Sequence, residues 1–254
     1  MSYLAMKLRD LITILLSLLA NPTYSEELIR GKVLENFEDT SAWHLVNRVS
    51  LSGKDARNFE SSAKMGGNIL INSDTRVKGL PYLLTKESYR DVDVCLEFMI
   101  PKGSNAGVYL MGRYEVQILD SYGKRDVKFS DIGGIYEEWE KGGIDVGARS
   151  LFVGQAPLVN AAKAPGEWQR LDIRFCAPRF DSDGRKLKDA HFLSVHLNGK
   201  LVQKDVFVPG PSVSNPVKGE ASSGPLAIQG DHGPIAIRSF LVKPLLSADS
   251  KYHF

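Results

Sequence analysis

Asn105–Gly123 reads N-A-G-V-Y-L-M-G-R-Y-E-V-Q-I-L-D-S-Y-G, and this stretch decides the fold class. Apolar and polar side chains alternate along it with the period of two that is typical of a β-strand. One face collects Val108, Leu110, Tyr114, Val116 and Ile118, and the other collects Tyr109, Arg113, Glu115 and Gln117. The pattern predicts one strand over Val108–Asp120. Its apolar face belongs to a core, and its polar face is either a solvated surface or a cleft for a polar ligand.

The rest of the chain beyond residue 25 is also predicted to be β. Turn sequences rich in glycine, proline and asparagine separate the segments, and Asn198-Gly199 predicts the clearest hairpin because both residues tolerate positive φ. Many short strands joined by turns predict an all-β sandwich or jelly roll, with residues 26–254 as a single domain. Further strands are predicted at Val92–Ile100, Leu171–Phe175, Phe192–Leu197, Leu201–Val206, Pro225–Gln229 and Ile235–Ile237.

The amino-acid composition indicates a globular protein and argues against a nucleic-acid partner. The chain has 254 residues, of which 24% are charged and 43% hydrophobic, and its formal net charge is +2. These values are those of an ordinary globular protein with enough apolar residues for a core. Without a long basic run, an aromatic–basic RNA motif or zinc-finger spacing, the sequence predicts no nucleic-acid partner.

The first 25 residues form a separate segment. Lys7 and Arg9 precede the apolar run Leu11–Ala20, and the small residues Thr23 and Ser25 follow it. This order predicts a secretory signal peptide over residues 1–25, and hence a periplasmic or secreted protein. The alternative is an uncleaved N-terminal anchor, in which case the protein would meet a membrane only through this segment.

Two cysteines, Cys95 and Cys176, both fall in predicted strands. If those strands are neighbours, one disulfide is possible; the alternative is two buried free thiols.

A first set of candidate residues for chemistry lies in the opening stretch. Glu115-x-Gln117-x-x-Asp120 resembles the Glu-x-Asp-x-x-Glu strand motif of laminarinase-like glycosidases, but two of its three positions differ. A bulge near Leu119 would be needed to turn Asp120 toward Glu115. Since retaining glycosidases need two carboxyl groups across the scissile bond, these departures argue against ordinary retaining hydrolysis.

A second set lies in the turn Gln229–Gly233. Asp231 and His232 stand side by side there, where they form either an oriented acid–base pair or a simple turn. A third feature is the irregular stretch 124–165, which is either a binding loop or a solvent-exposed loop without a binding role.

Several sequence blocks, in their order along the chain, resemble those of the bacterial 3-keto-disaccharide hydrolase family. The resemblance is spread over most of the chain, and its most specific block runs from Gly112 to Ser121. One departure is an insertion, Glu137–Gly154, which we expect at the rim of the cleft. The matching blocks are Leu96–Phe98, Asn105–Tyr109, Gly112–Ser121, Gly134–Tyr136, Pro165–Gln169, Ala177–Phe180, His196–Gly199 and Gly224–Gly233.

The resemblance implies a concanavalin-A-like jelly roll, a β-sandwich of two antiparallel sheets, whose polar strand face forms a concave cleft. It also implies a hydrolase that cleaves 3-keto-glycosides. A ketone at C3 acidifies the hydrogen on C2, so its removal gives an enolate that can expel the C1 oxygen, after which water adds. This route needs a base, an electrophile for the enolate oxygen and an acid for the leaving group.

On this basis we assign roles as hypotheses. Glu115 is the base, Arg113 stabilises the enolate oxygen, and His232 with Asp231 supplies the acid. The expected substrate-binding residues are Tyr109, Gln117, Asp120, Gln229 and Glu97.

Three alternatives remain open at this point. A divalent metal at a Glu/His cluster would be another electrophile, so metal ligands are not assigned. A jelly-roll carbohydrate-binding module would use the same cleft without cleavage, and a laminarinase-like β-glucanase would act on unoxidised glucans. The mainly charged and amide side chains on the expected cleft strand favour catalysis over binding alone.

Overall fold

The computed structural model describes residues 26–28, 33–62, 67–75, 77–79, 81–138 and 152–245. The predicted signal segment, residues 1–25, and most of the insertion, residues 139–151, lie outside these ranges. Within the described ranges, no helix has the length and apolar character that crossing a lipid bilayer requires.

Regular structure in the described ranges consists of β-strands and one short 3₁₀-helix, Val33–Asn36. The strands are β1 Glu26–Glu27, β2 His44–Val46, β3 Arg48–Leu51, β4 Phe59–Ser62, β5 Ile69–Ile71, β6 Leu83–Tyr89, β7 Val92–Met99, β8 Asn105–Leu110, β9 Tyr114–Leu119, β10 Gln169–Cys176, β11 Arg179–Phe180, β12 Lys186–Lys188, β13 Ala190–Leu197, β14 Lys200–Val208, β15 Gly224–Ile228 and β16 Ala236–Pro244.

Two sheets make up the sandwich. The larger has the spatial order β14-β13-β10-β7-β16-β5-β2, with β1 pairing beside β5 on the same edge of β16. The smaller has the order β6-β15-β8-β9, and two ribbons, β3-β4 and β11-β12, lie apart from both. The strand pairs in both sheets are antiparallel. The all-β prediction and the concanavalin-A-like jelly roll are thereby confirmed.

The apolar faces of the two sheets pack against each other to form the core. In β7, Val94, Leu96 and Phe98 are buried while the alternate residues face outward. The ring of Tyr114 in β9 lies 5.6 Å from that of Phe175 in β10, so aromatic side chains meet across the two layers. Because one face of the smaller sheet packs against the larger sheet, the opposite face of the smaller sheet can carry polar groups.

The prediction of one continuous strand over Val108–Asp120 is wrong, because the chain reverses in its middle. Strands β8 and β9 form a hairpin in which Leu110 pairs with Tyr114 around a three-residue turn. Met111 and Gly112 in the turn adopt φ of 57° and 64°. A turn of three residues leaves the even-numbered side chains on the same face, so the alternation runs through it unbroken and mimics a single strand.

The remaining strand predictions are confirmed in position, with shifted ends. The Asn198-Gly199 hairpin is present, with φ of 52° and 79° and with Leu197 paired to Lys200. Strand β16 is longer than the predicted Ile235–Ile237, because its later residues alternate between the core and solvent along β7.

The two cysteines are free thiols on neighbouring strands. Cys95 in β7 pairs with Asp172 in β10, which is four residues from Cys176 along the strand. Four residues of strand span about 13 Å, so a disulfide cannot form between them. Burial raises the pKa of Cys95 to about 12 and that of Cys176 to about 11, which keeps both thiols protonated.

Candidate functional site

The outer face of the smaller sheet carries two rows of aligned residues. In the first row Ala227 of β15, Tyr109 of β8 and Glu115 of β9 stand side by side. In the second row Gly107 pairs with Gln117, and the N–H of Gln229 donates to the Gly107 carbonyl at 2.9 Å. Neighbouring side chains on one face of a sheet contact each other, so the hairpin brings these polar groups into a single cluster.

Glu115 lies at the centre of this cluster, and its carboxyl group occupies space left by a glycine. A Cβ at Gly107 would overlap Glu115 Oε1, so the carboxyl group lies directly over the glycine backbone. Glu115 is only 3% exposed. Burial raises its pKa to about 8, the negative charge of Asp231 adds to the rise, and a hydrogen bond with Tyr109 partly offsets it. A carboxylate in this setting is a stronger base than an exposed one.

Three tyrosines surround this carboxyl group. The Tyr82 and Tyr109 rings meet edge to face with their centroids 5.6 Å apart. Tyr136 meets Phe129 in the same geometry at 5.3 Å. The charge of Glu115 contributes to a raised pKa at all three phenols, although burial is the larger cause in each. The site therefore combines one buried carboxyl group with several phenols that remain protonated at neutral pH.

A stretch of irregular chain continues the sheet beyond β9 and brings Tyr136 to the site. The N–H of Gln117 donates to the Gly134 carbonyl at 2.9 Å, and the N–H of Tyr136 donates to the Glu115 carbonyl at 3.0 Å. Ile135 then bridges to Gln155. Both described ends of the insertion thus border the outer face near Glu115, whereas its middle lies outside the described residues.

The turn Gln229–Gly233 is fixed beside the sheet by one buried asparagine. Asn72 Nδ2 donates to the carbonyls of Gly230 and Gly233 at 2.8 and 3.0 Å, and its Oδ1 accepts the Ile235 N–H at 2.9 Å. A Cβ at Gly230 would also press against the Trp43 ring, so this position needs a glycine for close packing.

Asp231 and His232, for which the sequence predicts either an acid–base pair or a simple turn, are in contact. His232 Nδ1 lies 2.6 Å from Asp231 Oδ1. The Gln229 amide connects this pair to the tyrosines, since its Nε2 lies 3.4 Å from both His232 Nδ1 and the Tyr82 hydroxyl. Gln229 is 6% exposed, and its Oε1 has no hydrogen-bond partner in the described chain. A buried oxygen of this kind is suited to accept a hydrogen bond from a ligand hydroxyl.

Of the residues predicted from sequence, six therefore meet in one site: Glu115, Tyr109, Gln117, Gln229, Asp231 and His232. Arg113 does not join them, so the structure does not support its predicted role at the enolate oxygen. It lies in the β8–β9 turn, where its guanidinium donates to the carbonyls of Met111, Lys218 and Gly219 at 2.8, 3.4 and 2.5 Å. These contacts anchor the 218–219 segment to the hairpin turn and leave the guanidinium committed to backbone carbonyls.

Asp120 and Glu97 are likewise placed away from Glu115. Asp120 Oδ2 accepts the Gly103 N–H at 2.9 Å, so this carboxylate closes a neighbouring turn at the far end of β9. Glu97 lies in β7 of the larger sheet and pairs with Arg238 at 2.8 Å. The structure thus places neither of these predicted substrate-binding residues beside Glu115, because no bulge turns Asp120 and Glu97 belongs to the other sheet.

Sequence reasoning missed three residues of the site: Tyr82, Tyr136 and Asn72. Tyr136 falls in the Gly134–Tyr136 block, which the family resemblance had already marked. Tyr82 and Asn72 are brought to the site by chain segments about 150 residues away, and no local pattern reports such contacts.

Among the described residues, no group of three or more His, Cys, Asp or Glu side chains is arranged to hold a metal ion. The divalent metal alternative therefore stays a prediction.

The chain is similar to known proteins in both sequence and fold. The family model for the 3-keto-alpha-glucoside-1,2-lyase-like domain matches residues 27–243. A solved structure from Parabacteroides distasonis, provisionally named a glycosyl hydrolase, has 23% identity and a TM-score of 0.54 over 88% of this chain and 84% of that one. A second, of the same organism and provisional name, has 19% identity and a TM-score of 0.53 over 88% and 100%. These two likenesses show the shared fold alone. No curated protein matches the chain.

The raised pKa of Glu115 predicts a pH-dependent cost to stability. Its folded pKa of about 8 lies above the ordinary value of 4.5, so the folded state binds the proton more tightly. Stability is therefore full below about pH 4.5 and declines, by at most about 1.4 kcal/mol per pH unit, as pH rises to about 8. Glu115→Gln removes this dependence. The difference in melting temperature between Glu115→Gln and the wild type should increase in favour of the variant from pH 5 to 8. Above pH 8 this difference should stay constant.

The matched control for this prediction is Glu87→Gln, an exposed position in β6 of the same sheet. Its melting temperature should follow the wild type at every pH. A Glu115→Gln variant that parallels the wild type across the range would contradict the raised pKa.

Asn72 is predicted to hold the Gln229–Gly233 turn in place. Asn72→Ala leaves two buried carbonyls and one buried N–H without their partner, which should lower the free energy of unfolding by about 3 kcal/mol. Hydrogen exchange should quicken at least tenfold at the Ile235 amide. Asn36→Ala, which removes a single hydrogen bond to the Leu28 carbonyl, is the control and should leave the Ile235 rate unchanged. Unchanged exchange at Ile235 in Asn72→Ala would show that the turn holds without this residue.

Proposed function

We propose that this chain, which belongs to the 3-keto-alpha-glucoside-1,2-lyase-like family, is an exported enzyme that cleaves the glycosidic bond of 3-keto-glycosides such as 3-keto-disaccharides. The observation that carries the proposal is the single buried carboxyl group of Glu115 on the outer sheet face, with its pKa raised to about 8. The family description supports it, since a 1,2-lyase breaks the C1–oxygen bond by removing the proton on C2. Export rests on residues 1–25 alone.

The carboxyl groups favour elimination over retaining hydrolysis. Retaining glycosidases place two carboxyl groups about 5 Å apart across the scissile bond. On the described outer strands Glu115 is the one carboxyl group that faces the cluster, because the next outward residue of β9 is Gln117 and Asp120 is bonded to Gly103. The other carboxyl group of the site, Asp231, lies in the Gln229–Gly233 turn and is paired with His232 at 2.6 Å. A ketone at C3 removes the need for a second carboxylate, since one base at C2 begins the reaction.

Glu115 acts as this base. Its carboxylate takes the C2 proton, and the electron pair passes into the C2–C3 bond to give an enolate. Desolvation by the surrounding sheet makes the carboxylate more basic than it would be in water, which lowers the barrier to removing a weakly acidic C–H proton. Tyr109 holds the carboxyl group in place through its hydrogen bond.

The remaining groups bind the sugar and protonate the leaving oxygen. The unpaired Oε1 of Gln229 accepts a sugar hydroxyl, and Gln117, whose Oε1 already accepts the Ile118 N–H, offers its amide hydrogens. His232 is oriented by Asp231 and gives its proton to the departing oxygen as the C1–oxygen bond breaks. Water then adds to C1 and a proton returns to C2, so the net reaction is hydrolysis.

Incubation with three substrates separates this proposal from its two alternatives. The protein is mixed with a 3-keto-disaccharide, its unoxidised parent and a β-glucan in D2O, and the products are followed by mass spectrometry. We expect cleavage of the 3-keto-disaccharide alone, with deuterium incorporated at C2. Glu115→Gln should lower this rate by at least 10³-fold, while Glu87→Gln should not change it.

Other outcomes select the other functions. Binding of sugars without cleavage would identify a carbohydrate-binding module, and release of sugar from the β-glucan would identify a β-glucanase. Full activity of Glu115→Gln toward the 3-keto-disaccharide would exclude Glu115 as the base.

The pH dependence of the reaction gives an independent test of the base. Because Glu115 must be deprotonated to act, kcat/KM should rise with pH and level off above about 8. Tyr109→Phe removes a hydrogen bond that lowers the pKa of Glu115, so the rising limb of the pH profile should move to higher pH. Tyr122→Phe, at an exposed tyrosine, is the control. A rising limb that stays in place or moves to lower pH in Tyr109→Phe would contradict the contact.

A further inference from the structure

The proposed reaction leaves one requirement without a residue, namely a donor for the enolate oxygen on C3. Arg113 cannot supply it, because its guanidinium is held by three backbone carbonyls in the hairpin turn. The donor must instead come from the groups that face Glu115. Three phenols do so, those of Tyr82, Tyr109 and Tyr136.

The surroundings of the three phenols distinguish them. Tyr109 is 1% exposed, and its hydroxyl is already engaged by hydrogen bonds with both Glu115 and Tyr82. Tyr136 lies on the other side of β9, with its ring against Phe129. Tyr82 is half-buried next to Tyr109 and Gln229, and the charges of Asp231 and Glu115 both contribute to the raised pKa of its phenol.

The Tyr82 hydroxyl is oriented as a donor. Gln229 Nε2 lies 3.4 Å from it and gives it a hydrogen bond, so the lone pair on that side is occupied. Its own proton is directed to the Ser214 carbonyl at 3.2 Å. Since a phenol O–H rotates about its C–O bond, this proton can move from a carbonyl of the protein to an oxygen of the substrate.

We propose that Tyr82 is a catalytic residue, whose phenol donates a hydrogen bond to the C3 oxygen of the substrate as negative charge develops there. This inference rests on the proposed function and adds the group that stabilises its intermediate. Burial and the charge of Asp231 raise the pKa of Tyr82 to about 12, so the phenol keeps its proton throughout the range in which Glu115 is ionised.

The electron pairs balance without any further reactant. The C2–H bond breaks, its proton joins the Glu115 carboxylate, and its electron pair forms the C2–C3 double bond while the C3 oxygen becomes negative. Tyr82 stabilises that oxygen by hydrogen bonding and does not lose its proton. The C3 carbonyl then re-forms, a C1–C2 double bond appears, and the C1–oxygen bond breaks with its electron pair leaving on the oxygen that His232 protonates.

The test compares Tyr82→Phe with Tyr122→Phe and Glu115→Gln, using a 3-keto-disaccharide in D2O. Exchange of the C2 hydrogen is followed by NMR and cleavage by mass spectrometry. We expect Tyr82→Phe to lower kcat and the C2 exchange rate by about 10²–10³-fold, as the loss of one preorganised donor to a developing oxyanion does. KM should change less than threefold, and the rising limb near pH 8 should stay in place. Tyr122→Phe should match the wild type.

The outcomes separate this inference from the proposed function. If the wild type cleaves and exchanges while Tyr82→Phe does so at the same rate, Tyr82 is not the donor and the function stands. A Tyr82→Phe variant that moves the rising limb would show that Tyr82 only positions Glu115. If the wild type neither cleaves nor exchanges, the proposed function itself fails.

Incorporation of 3-fluorotyrosine at position 82 keeps the inference testable where Tyr82→Phe does not fold, since the ring shape is retained and the pKa of the phenol is lowered. The rate should then fall at a lower alkaline pH than in the wild type, because the donor is lost once the phenol ionises. An alkaline limb at the wild-type position would overturn the inference.

Discussion

Tyr109 and Glu115 stand directly opposite each other in the β8–β9 hairpin, and the rest of the site depends on this pairing. The three-residue turn between the strands sets it, because the turn length decides which residues face each other. With Leu110 paired to Tyr114, the apolar residues of both strands enter the core and the phenol and carboxyl group meet on the outer face. Addition or removal of one turn residue would turn one strand over and separate them.

The packing around Glu115 shows how a folded protein tolerates a buried acid. A carboxyl group without water favours its neutral form, and each pH unit of raised pKa represents about 1.4 kcal/mol between the two protonation states. Gly107 provides the space for the carboxyl group, and Tyr109 provides a hydrogen bond. The apolar contacts between the two sheets supply the stability that this destabilised position requires.

The sequence was sufficient for the fold class and for part of the site. Strand alternation and Asn198-Gly199 are local signals, so the sheets and one hairpin could be predicted from neighbouring residues. The β8–β9 reversal was missed because a three-residue turn preserves the alternation. Contacts of Tyr82 and Asn72 with the Gln229–Gly233 turn join segments about 150 residues apart, and only the order of strands in the smaller sheet brings them together. The alternation also predicted that Arg113 lies on the polar face beside Glu115. In the structure Arg113 lies in the β8–β9 turn, and its guanidinium donates to backbone carbonyls there.

The position of Arg113 away from Glu115 is consistent with the chemistry that we infer. A guanidinium within about 5 Å of a carboxylate lowers its pKa by one to three units, and would therefore weaken Glu115 as a base for a C–H proton. Phenols avoid this conflict, because they are neutral and still donate hydrogen bonds to a developing negative charge. Their own raised pKa values, caused chiefly by burial, keep them protonated while Glu115 is ionised. The same desolvation thus strengthens the base and preserves the donors, whereas a cation next to Glu115 would have helped the enolate at the expense of the step that forms it.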